Sequence, residues 1–321
     1  MFYVTLACNL RCHHCYVGNE WLDSAKYFDR QDAGDILHHF GSGGLDRLTI
    51  LGGEPTLYPY LSQLVTQSRN YKIREMRMTT NAVDLKYFDM KTIVPGDFDH
   101  ISISMDGHTR DIHESIRGPK SFDNTLGNLV RLLKKGFTIH VTYTVTGRNI
   151  DSIYEAVRFF NDLGVKEMNF HLVSMIGNAK NNLDLFVRPT VWRNVRRELR
   201  NLKNVRGMDL RVPLMYLTKE EYEAELDNGY KSFVYGSYHS DGGHRIIIYP
   251  NGMVYMSCDL TGTEFNFAYY DNRTFRLNRS RNEVSMQMEM PSLSDPSTQL
   301  LGKETEGYIP LSISYKELIK Y

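Results

Sequence analysis

Short apolar runs alternate with amphipathic stretches from residue 2 to residue 202. Runs rich in β-branched, aromatic or aliphatic residues predict strands at 2–6, 48–51, 75–80, 101–105, 138–145 and 165–173. Between the strands, apolar residues recur at the spacing of a helix face, and glycine follows several of these stretches as a stop signal. The stretches predict helices at 32–40, 60–70, 122–135, 151–163 and 192–202.

Strand–helix alternation repeated about six times predicts an α/β fold with a parallel sheet and right-handed crossovers. Six units fall short of the eight that close a full barrel, so we expect a partial (β/α)6 TIM-like barrel. Such a barrel carries its chemistry at the carboxyl ends of the strands, in the loops that lead into the helices.

The pattern changes at about residue 206. Two short apolar runs, 245–249 and 253–256, flank Pro250-Asn251-Gly252, which predicts a hairpin. The C-terminal tail is polar and lacks periodicity. We therefore expect two domains, the partial barrel at 1–205 and a small α+β C-terminal appendage at 206–321 that covers the mouth of the barrel.

Composition and charge exclude several classes of protein. Lys+Arg and Asp+Glu both number 38, so the net charge is zero, which argues against a protein that binds polyanions through its overall charge. The basic cluster at 193–206 is typical of a solvated helix face, and a nucleic-acid partner is not expected. No apolar run is long enough to span a membrane, and the first residues do not form a signal peptide. Four cysteines in so long a chain form no disulfide scaffold, and a cytoplasmic location is expected.

Three of the four cysteines, Cys8, Cys12 and Cys15, fall within eight residues. Closely spaced thiolates select zinc, Cu(I) or iron–sulfur clusters. A structural zinc ion would need a fourth ligand, which His13 or His14 could supply. The C-x3-C-x2-C spacing also suits three irons of a [4Fe–4S] cluster and leaves the fourth iron without a protein ligand.

With other segments, this cysteine run resembles the signature of the radical S-adenosylmethionine (SAM) superfamily. Gly52-Gly53-Glu54-Pro55 resembles the GGEP segment of that family, and Thr79-Thr80-Asn81 resembles its TTN segment. Ser104-Met105-Asp106-Gly107, followed by Arg117, resembles its fourth-strand region, and residues 173–179 resemble its sixth-strand segment. The resemblance covers roughly residues 2–180 and is nearest to the branch that modifies peptides and natural products.

The resemblance implies which residues hold the cofactors. Cys8, Cys12 and Cys15 hold one [4Fe–4S] cluster in this interpretation. The implied SAM contacts are Tyr16, Gly52, Gly53, Glu54, Pro55, Thr80, Asn81, Ser104, Asp106, Arg117, Val173 and Gly177. Glycine at 52 and 53 lets the backbone approach the SAM amine, and Arg117 can pair with its carboxylate.

The C-terminal part departs from the family pattern. Residues 246–258 look like the opening of the Cys-rich SPASM or twitch domain, which binds auxiliary clusters in related enzymes. Cys258 is the last cysteine of the chain, and one thiolate cannot hold a second cluster. We therefore expect one cluster per chain. Cys258 is then either a hydrogen donor that quenches a substrate radical or a small buried hydrophobe left from an ancestral cluster site.

The resemblance also implies an enzyme. Family members cleave SAM reductively to a 5′-deoxyadenosyl radical, which abstracts a hydrogen atom that acid–base chemistry cannot activate. Because no auxiliary cluster is expected to accept an electron, redox-neutral epimerisation, C–C bond formation or elimination ranks above net oxidation.

The substrate is open. No leader-peptide recognition domain is expected before the first strand, which favours a small polar natural product such as a sugar, nucleoside, aminoglycoside or amino acid. The alternative is a maturase or epimerase of a ribosomally made peptide. A reductant such as flavodoxin or ferredoxin is the implied partner. A non-catalytic metal-binding protein is disfavoured by the GGEP-like and Ser-x-Asp-Gly segments.

Overall fold

The computed structural model describes residues 1–202, 207–221, 224, 245–256, 261–262, 264–280 and 308–310. The strands in these ranges are β1 Phe2–Thr5, β2 Arg47–Gly52, β3 Glu75–Thr80, β4 His100–Ser104, β5 Ile139–Val145, β6 Glu167–Leu172, β7 Asp209–Arg211, β8 Tyr216–Leu217, β9 Ile247–Ile248, β10 Met253–Tyr255, β11 Ala268–Asp271, β12 Thr274–Leu277 and β13 Ile309–Pro310. The α-helices are α1 Asn19–Leu22, α2 Arg30–Ser42, α3 Leu61–Ser68, α4 Arg110–Arg117, α5 Phe122–Lys134, α6 Ile153–Asp162 and α7 Pro189–Leu202.

The main sheet has the order β12-β11-β10-β9-β1-β2-β3-β4-β5-β6-β7. Strands β1 to β7 pair in parallel, each with the next along the chain. The sheet is open, since β7 and β12 are its edges among the described strands. The predicted α/β class and six-unit partial barrel are confirmed. In the barrel, the sequence pattern missed the helices α1 and α4 and the seventh parallel strand β7, and beyond it the strands β8, β11, β12 and β13.

Alternation along the strands separates a helix-facing row from an inner row. In β5, Ile139, Val141, Tyr143 and Val145 are fully buried, while the residues between them are only partly buried. The fully buried row belongs to the same core cluster as Leu129 of α5 and Phe160 of α6. Because successive side chains point to opposite faces, the intervening residues lie on the inner face of the barrel.

The C-terminal segment extends this sheet at the β1 edge. Strand β9 pairs in parallel with β1 through Phe2 and Ile248. Strands β10 to β12 then follow as antiparallel neighbours, and β9 with β10 forms the predicted hairpin. Strands β8 and β13 form a separate two-stranded sheet. The domain boundary at residues 205 and 206 stays a prediction, although β7 just beyond it continues the main sheet.

None of the helices in the described part of the chain is both long and apolar enough to cross a membrane.

Candidate active site

The cysteine run forms a loop directly after β1. Cys12 is buried and Cys8 and Cys15 are half-buried. Burial raises the pKa of the Cys8 thiol to about 12, against opposition from a backbone hydrogen bond. It raises the pKa of Cys12 to about 12 as well, and it raises that of Cys15. Thiols in such a setting ionise when a bound metal stabilises the thiolate.

The donor set of this loop fits an iron–sulfur cluster. All three thiols come from one loop of eight residues, and the charge of Arg117 lowers the pKa of Cys12 and Cys15. A [4Fe–4S] cluster takes one thiolate on each of three irons, which a loop with three cysteines can supply.

Glu54 is a buried acceptor at the end of β2. Its Oε1 accepts hydrogen bonds from the Thr56 backbone N–H at 3.0 Å and from the hydroxyls of Thr56 and Thr80 at 2.7 and 2.5 Å. Its Oε2 accepts from the Asn81 backbone N–H at 2.7 Å. Burial raises the pKa of Glu54, while these four bonds favour the carboxylate and oppose that rise. Glu54 therefore ties the end of β2 to the end of β3.

Asn81 carries this connection to the cysteine loop. Its Nδ2 donates to Asn9 Oδ1 at 2.8 Å and lies 4.0 Å from the Cys8 sulfur. Its Oδ1 accepts from the Val83 backbone N–H at 2.9 Å. The GGEP-like and TTN-like segments thus meet beside the first cysteine.

Asp106, which follows β4, is a second buried acceptor with no exposed surface. Its Oδ2 lies 2.6 Å from Arg117 Nε and 2.7 Å from His14 Nε2. Its Oδ1 accepts from the Thr144 backbone N–H at 2.7 Å. Burial alone would raise the pKa of Asp106, but the Arg117 guanidinium and His14 outweigh burial and hold this pKa well below its usual range.

The backbone of Asp106 is held equally firmly. Its N–H lies 3.3 Å from His113 Nδ1, and its carbonyl oxygen accepts from Asn149 Nδ2 at 2.9 Å. Burial and the neighbouring Arg117 lower the pKa of His113 to about 4, so this imidazole is neutral near pH 7. Its Nδ1 can therefore act as the acceptor. Neutral His113 and ionised Asp106 together fix the loop that leads to Arg117.

Gly52 and Gly53 lie where the ends of β1 and β2 come close. A Cβ at Gly53 would lie 2.5 Å from the carbonyl oxygens of Leu6 and Ala7, and one at Gly52 would lie 2.8 Å from the Thr5 oxygen. No side chain fits such distances. Close packing of the strand ends therefore requires glycine at both positions, independently of SAM binding.

The remaining predicted residues lie around this centre. Pro55 and Val173 are buried, Ser104 ends β4 with its side chain on the inner face, and Gly177 touches the Cys15 backbone. The hydroxyl of Tyr16 contacts that of Tyr3. Cys258 lies outside the described residues. The structure therefore brings the predicted residues from the ends of β1, β2, β3, β4 and β6 to one end of the barrel.

Two contributors to this arrangement escaped the sequence analysis. His14, which the sequence placed only between the ligand cysteines, bonds to Asp106. Asn178, which lies in the 173–179 segment but was not singled out there, donates to the Cys12 carbonyl oxygen. Both contacts join residues far apart in the chain, so no local pattern signals them. For Asn178, the only indication in the sequence is its position directly after Gly177 in the segment that resembles the family's sixth-strand segment.

Comparison with known proteins gives a family match. The family model described as the Radical SAM superfamily matches residues 2–160. A probable GTP 3′,8-cyclase of Metallosphaera sedula is 25% identical over 173 residues, covering 54% of this chain and 54% of the relative. The mycofactocin maturase MftC of Mycobacterium tuberculosis is 29% identical over 153 residues, covering 47% of this chain and 39% of the relative. The chain thus spans about half or less of the curated relatives it matches.

Solved structures share the fold. Streptococcus suis SuiB bound to precursor peptide SuiA aligns with a TM-score of 0.64 at 16% identity, covering 89% of this chain and 63% of that one. Native anSMEcpe with bound AdoMet aligns with a TM-score of 0.60 at 17% identity, covering 80% and 73%. The family match, with the cysteine loop and the strand-end motifs inside it, shows that residues 2–160 form a domain of the radical SAM superfamily, a family of enzymes that use a [4Fe–4S] cluster and S-adenosylmethionine.

Proposed function

We propose that the chain removes a hydrogen atom from a polar natural-product substrate held on the inner face of the barrel. The thiolates of Cys8, Cys12 and Cys15 would hold the single cluster, and the glycine pair with residues at the carboxyl ends of β3, β4 and β6 would bind SAM. When bound and reduced, the cluster with SAM supplies a 5′-deoxyadenosyl radical. The protein's own residues supply position, charge and exclusion of water.

Each buried acceptor has a task in this proposal. Glu54 orients Asn81 and Thr80 rather than facing the interior, because its two oxygens are occupied by four donors. Asp106 likewise orients His14 and Arg117. Arg117 keeps its charge at all working pH values, since the neighbouring Asp106 raises its pKa against the effect of burial. Its terminal nitrogens can pair with the SAM carboxylate while Nε stays on Asp106.

The substrate proposal rests on a group of polar side chains on the inner face of the barrel, the polar inner wall. We define it as the inner-face residues near the carboxyl ends of β3 to β6: Thr79, Ser102, Ser104, Thr142, Thr144, Asn169 and His171. Neighbouring strands place Ser104 opposite Thr142 and Thr142 opposite Asn169. None of these side chains makes a hydrogen bond to another residue of the described ranges. Apart from buried Ser102 they are half-buried or exposed, so their polar groups are accessible to a ligand rich in hydroxyl or amide groups.

The wall is also neutral in charge. Its hydroxyls and amide do not ionise near pH 7, and desolvation inside the barrel lowers the pKa of His171 against the opposing charge of Asp106, although this side chain reaches solvent. A neutral wall of donors and acceptors favours a sugar or nucleoside scaffold over a polycationic aminoglycoside. Redox-neutral epimerisation, C–C bond formation or elimination remains the proposed outcome. The assignment of Cys258 as a hydrogen donor, and of a domain at 206–321 that covers the substrate, stays a prediction.

A peptide substrate is the second candidate, and the comparisons favour it. MftC is a maturase, and SuiB binds the precursor peptide SuiA. A structure of anSMEcpe holds a peptide together with AdoMet. Backbone amides of an extended peptide could also bond to the polar inner wall, so the wall supports this candidate as well.

We propose that the enzyme works in the cytoplasm with a one-electron reductant such as flavodoxin or ferredoxin. Unpaired buried thiols and an iron–sulfur cluster suit a reducing compartment.

The test is a two-part panel assay. Anaerobically reconstituted protein, SAM and dithionite are incubated with sugars, nucleosides and aminoglycosides, or with synthetic peptides, and 5′-deoxyadenosine is quantified. We expect a member of the first set to raise its formation above the substrate-free rate. Stimulation by peptides alone would replace the proposal with the second candidate.

A further inference from the structure

The loop after β6 approaches the cysteine loop more closely than most side chains allow. We call residues 173–182 the β6 loop. Gly177 has a φ of +58°, and a Cβ there would lie 2.3 Å from the Cys15 carbonyl oxygen and 2.6 Å from that of Tyr16. Both the backbone conformation and the space require glycine. The β6 loop is therefore built to lie against the backbone of the cysteine loop.

Asn178, the next residue, bonds to two of the three ligand residues. Its backbone N–H donates to the Cys15 carbonyl oxygen at 2.9 Å. Its Nδ2 donates to the Cys12 carbonyl oxygen at 2.9 Å and to Asn19 Oδ1 at 2.9 Å. Its Oδ1 accepts from the Asn19 backbone N–H at 3.1 Å. Both amide hydrogens and the amide oxygen are thus engaged, and the side chain has one orientation that satisfies all of these bonds.

Asn182 supports this arrangement from the end of the same loop. Its Nδ2 donates to the Asn178 carbonyl oxygen at 2.9 Å, and its Oδ1 lies 3.1 Å from His13 Nδ1. The β6 loop therefore meets the cysteine loop at Cys12, His13 and Cys15.

We propose that Asn178 is a positioning residue for the cluster. This inference rests on the proposed role of Cys8, Cys12 and Cys15 as ligands. Three thiols from one short loop can bind the same cluster only when the backbone between them adopts one conformation. A loop that is not held in that conformation beforehand loses conformational entropy when it binds the cluster. By fixing the carbonyls of Cys12 and Cys15, Asn178 prepares that conformation in advance. Groups that orient ligands also tune the metal centre they surround.

Asn178→Asp removes the side-chain donor but adds a charge, and Asn178→Leu, which is of similar size and neutral, separates loss of the hydrogen bond from the effect of that charge. Aspartate has the size of asparagine and keeps the backbone bond to Cys15, but it cannot donate to the Cys12 carbonyl oxygen. We expect about a 10-fold faster loss of iron to a chelator, in line with other residues that orient metal ligands. We also expect a shifted midpoint potential and altered electron paramagnetic resonance (EPR) g-values of the reduced cluster. The KM for SAM should change less than the rate of 5′-deoxyadenosine formation.

Asn128→Asp is the matched control. Asn128 Nδ2 also donates to a backbone carbonyl, that of Ala82 at 2.8 Å, outside the cysteine loop. This variant should lose comparable thermal stability while its EPR spectrum and potential stay those of the wild type. Gly177→Ala, which moves the β6 loop from Cys15, provides a second variant in case Asn178→Asp does not fold, and it should reproduce the spectral change.

The outcomes separate the inference from the proposed function. Wild-type iron retention, potential and EPR spectrum in both Asn178→Asp and Gly177→Ala would overturn the positioning role while leaving the cluster assignment intact. A wild-type protein that holds no cluster after reconstitution would overturn the cluster assignment and, with it, the inference.

Discussion

His14 and Asp106 are 92 residues apart in the chain, yet Nε2 of one lies 2.7 Å from Oδ2 of the other. His14 stands between the second and third cysteines, and Asp106 follows β4. The same carboxylate oxygen lies 2.6 Å from Arg117 Nε. A single buried carboxylate therefore connects the cysteine loop with the arginine that we assign to the SAM carboxylate.

Asp106→Asn should destabilise the protein by about 3 kcal/mol or more, because it leaves the buried Arg117 cation without its counter-charge. The measurement is chemical denaturation of the reconstituted protein. Asp46→Asn is the control, since Asp46 pairs with Arg74 on the exposed surface, and that change should leave stability as it is. Equal effects of the two substitutions would contradict the role of Asp106.

His113 should make stability depend on pH. Its pKa falls from about 6.5 in the unfolded chain to about 4 in the fold, so the unfolded state binds more protons between these values. The free energy of unfolding is then highest above pH 6.5 and decreases as the pH falls towards 4. The decrease is about 3 kcal/mol, since a pKa change of one unit corresponds to about 1.36 kcal/mol. His113→Asn should flatten this part of the pH profile relative to the wild type. An unchanged slope would contradict the burial of a neutral imidazole.

Glu54→Gln should weaken SAM binding about 10-fold or more. Glutamine replaces one carboxylate oxygen with an NH2 group that only donates, so either the Asn81 bond or the Thr56 and Thr80 bonds lose their acceptor, and a bond to a charged group contributes roughly 1.5–3 kcal/mol. The orientation of Asn81 or Thr80 is then lost. Equilibrium dialysis with labelled SAM measures the effect, and Glu20→Gln on the exposed first turn of α1 serves as control. Wild-type SAM affinity in Glu54→Gln would show that Asn81 holds its place without Glu54.

Thr142→Val and Asn169→Leu test the polar inner wall. Once the panel has given a substrate, each change should raise the KM for it about 10-fold, the cost of roughly one hydrogen bond left unmade. The KM for SAM should change much less. Thr66→Val is the control, because its hydroxyl bonds to Ser62 O on the exposed side of α3. Equal changes of both KM values would assign Thr142 and Asn169 to SAM rather than to the substrate.

The sequence predicted the repeating units of the fold well because each unit has its own local pattern. Alternation in 138–145 and helical spacing in 122–135 predict β5 and α5 nearly to their observed ends. Strand β7 was missed because three residues carry too little periodicity. The parallel pairing of β9 with β1 joins opposite ends of the chain, and no local pattern specifies it.

In the candidate site, too, residues with a local sequence pattern were predicted and residues defined by long-range contacts were not. Spacing alone marks the three cysteines, and the strand-end motifs mark Glu54 and Asp106. The structure adds what these two carboxylates do, which is to hold neighbouring residues through buried hydrogen bonds. For Gly53 the sequence suggested access to SAM, while the structure gives contact with the end of β1 as a reason for glycine. Asn178 was missed because its importance depends on where the β6 loop lies.

The most direct test of the account is 5′-deoxyadenosine formation by the anaerobically reconstituted protein with SAM and dithionite. The account predicts that the wild type forms this product together with methionine. We predict that Cys8→Ala, Cys12→Ala and Cys15→Ala each abolish product formation, while Asn124→Ala, a change at an exposed side chain that bonds to Lys120 O, does not. Product formation by any of the three cysteine variants would contradict the radical SAM assignment. The same holds if the wild type carries a full cluster and binds SAM but does not cleave SAM with any substrate of the panel.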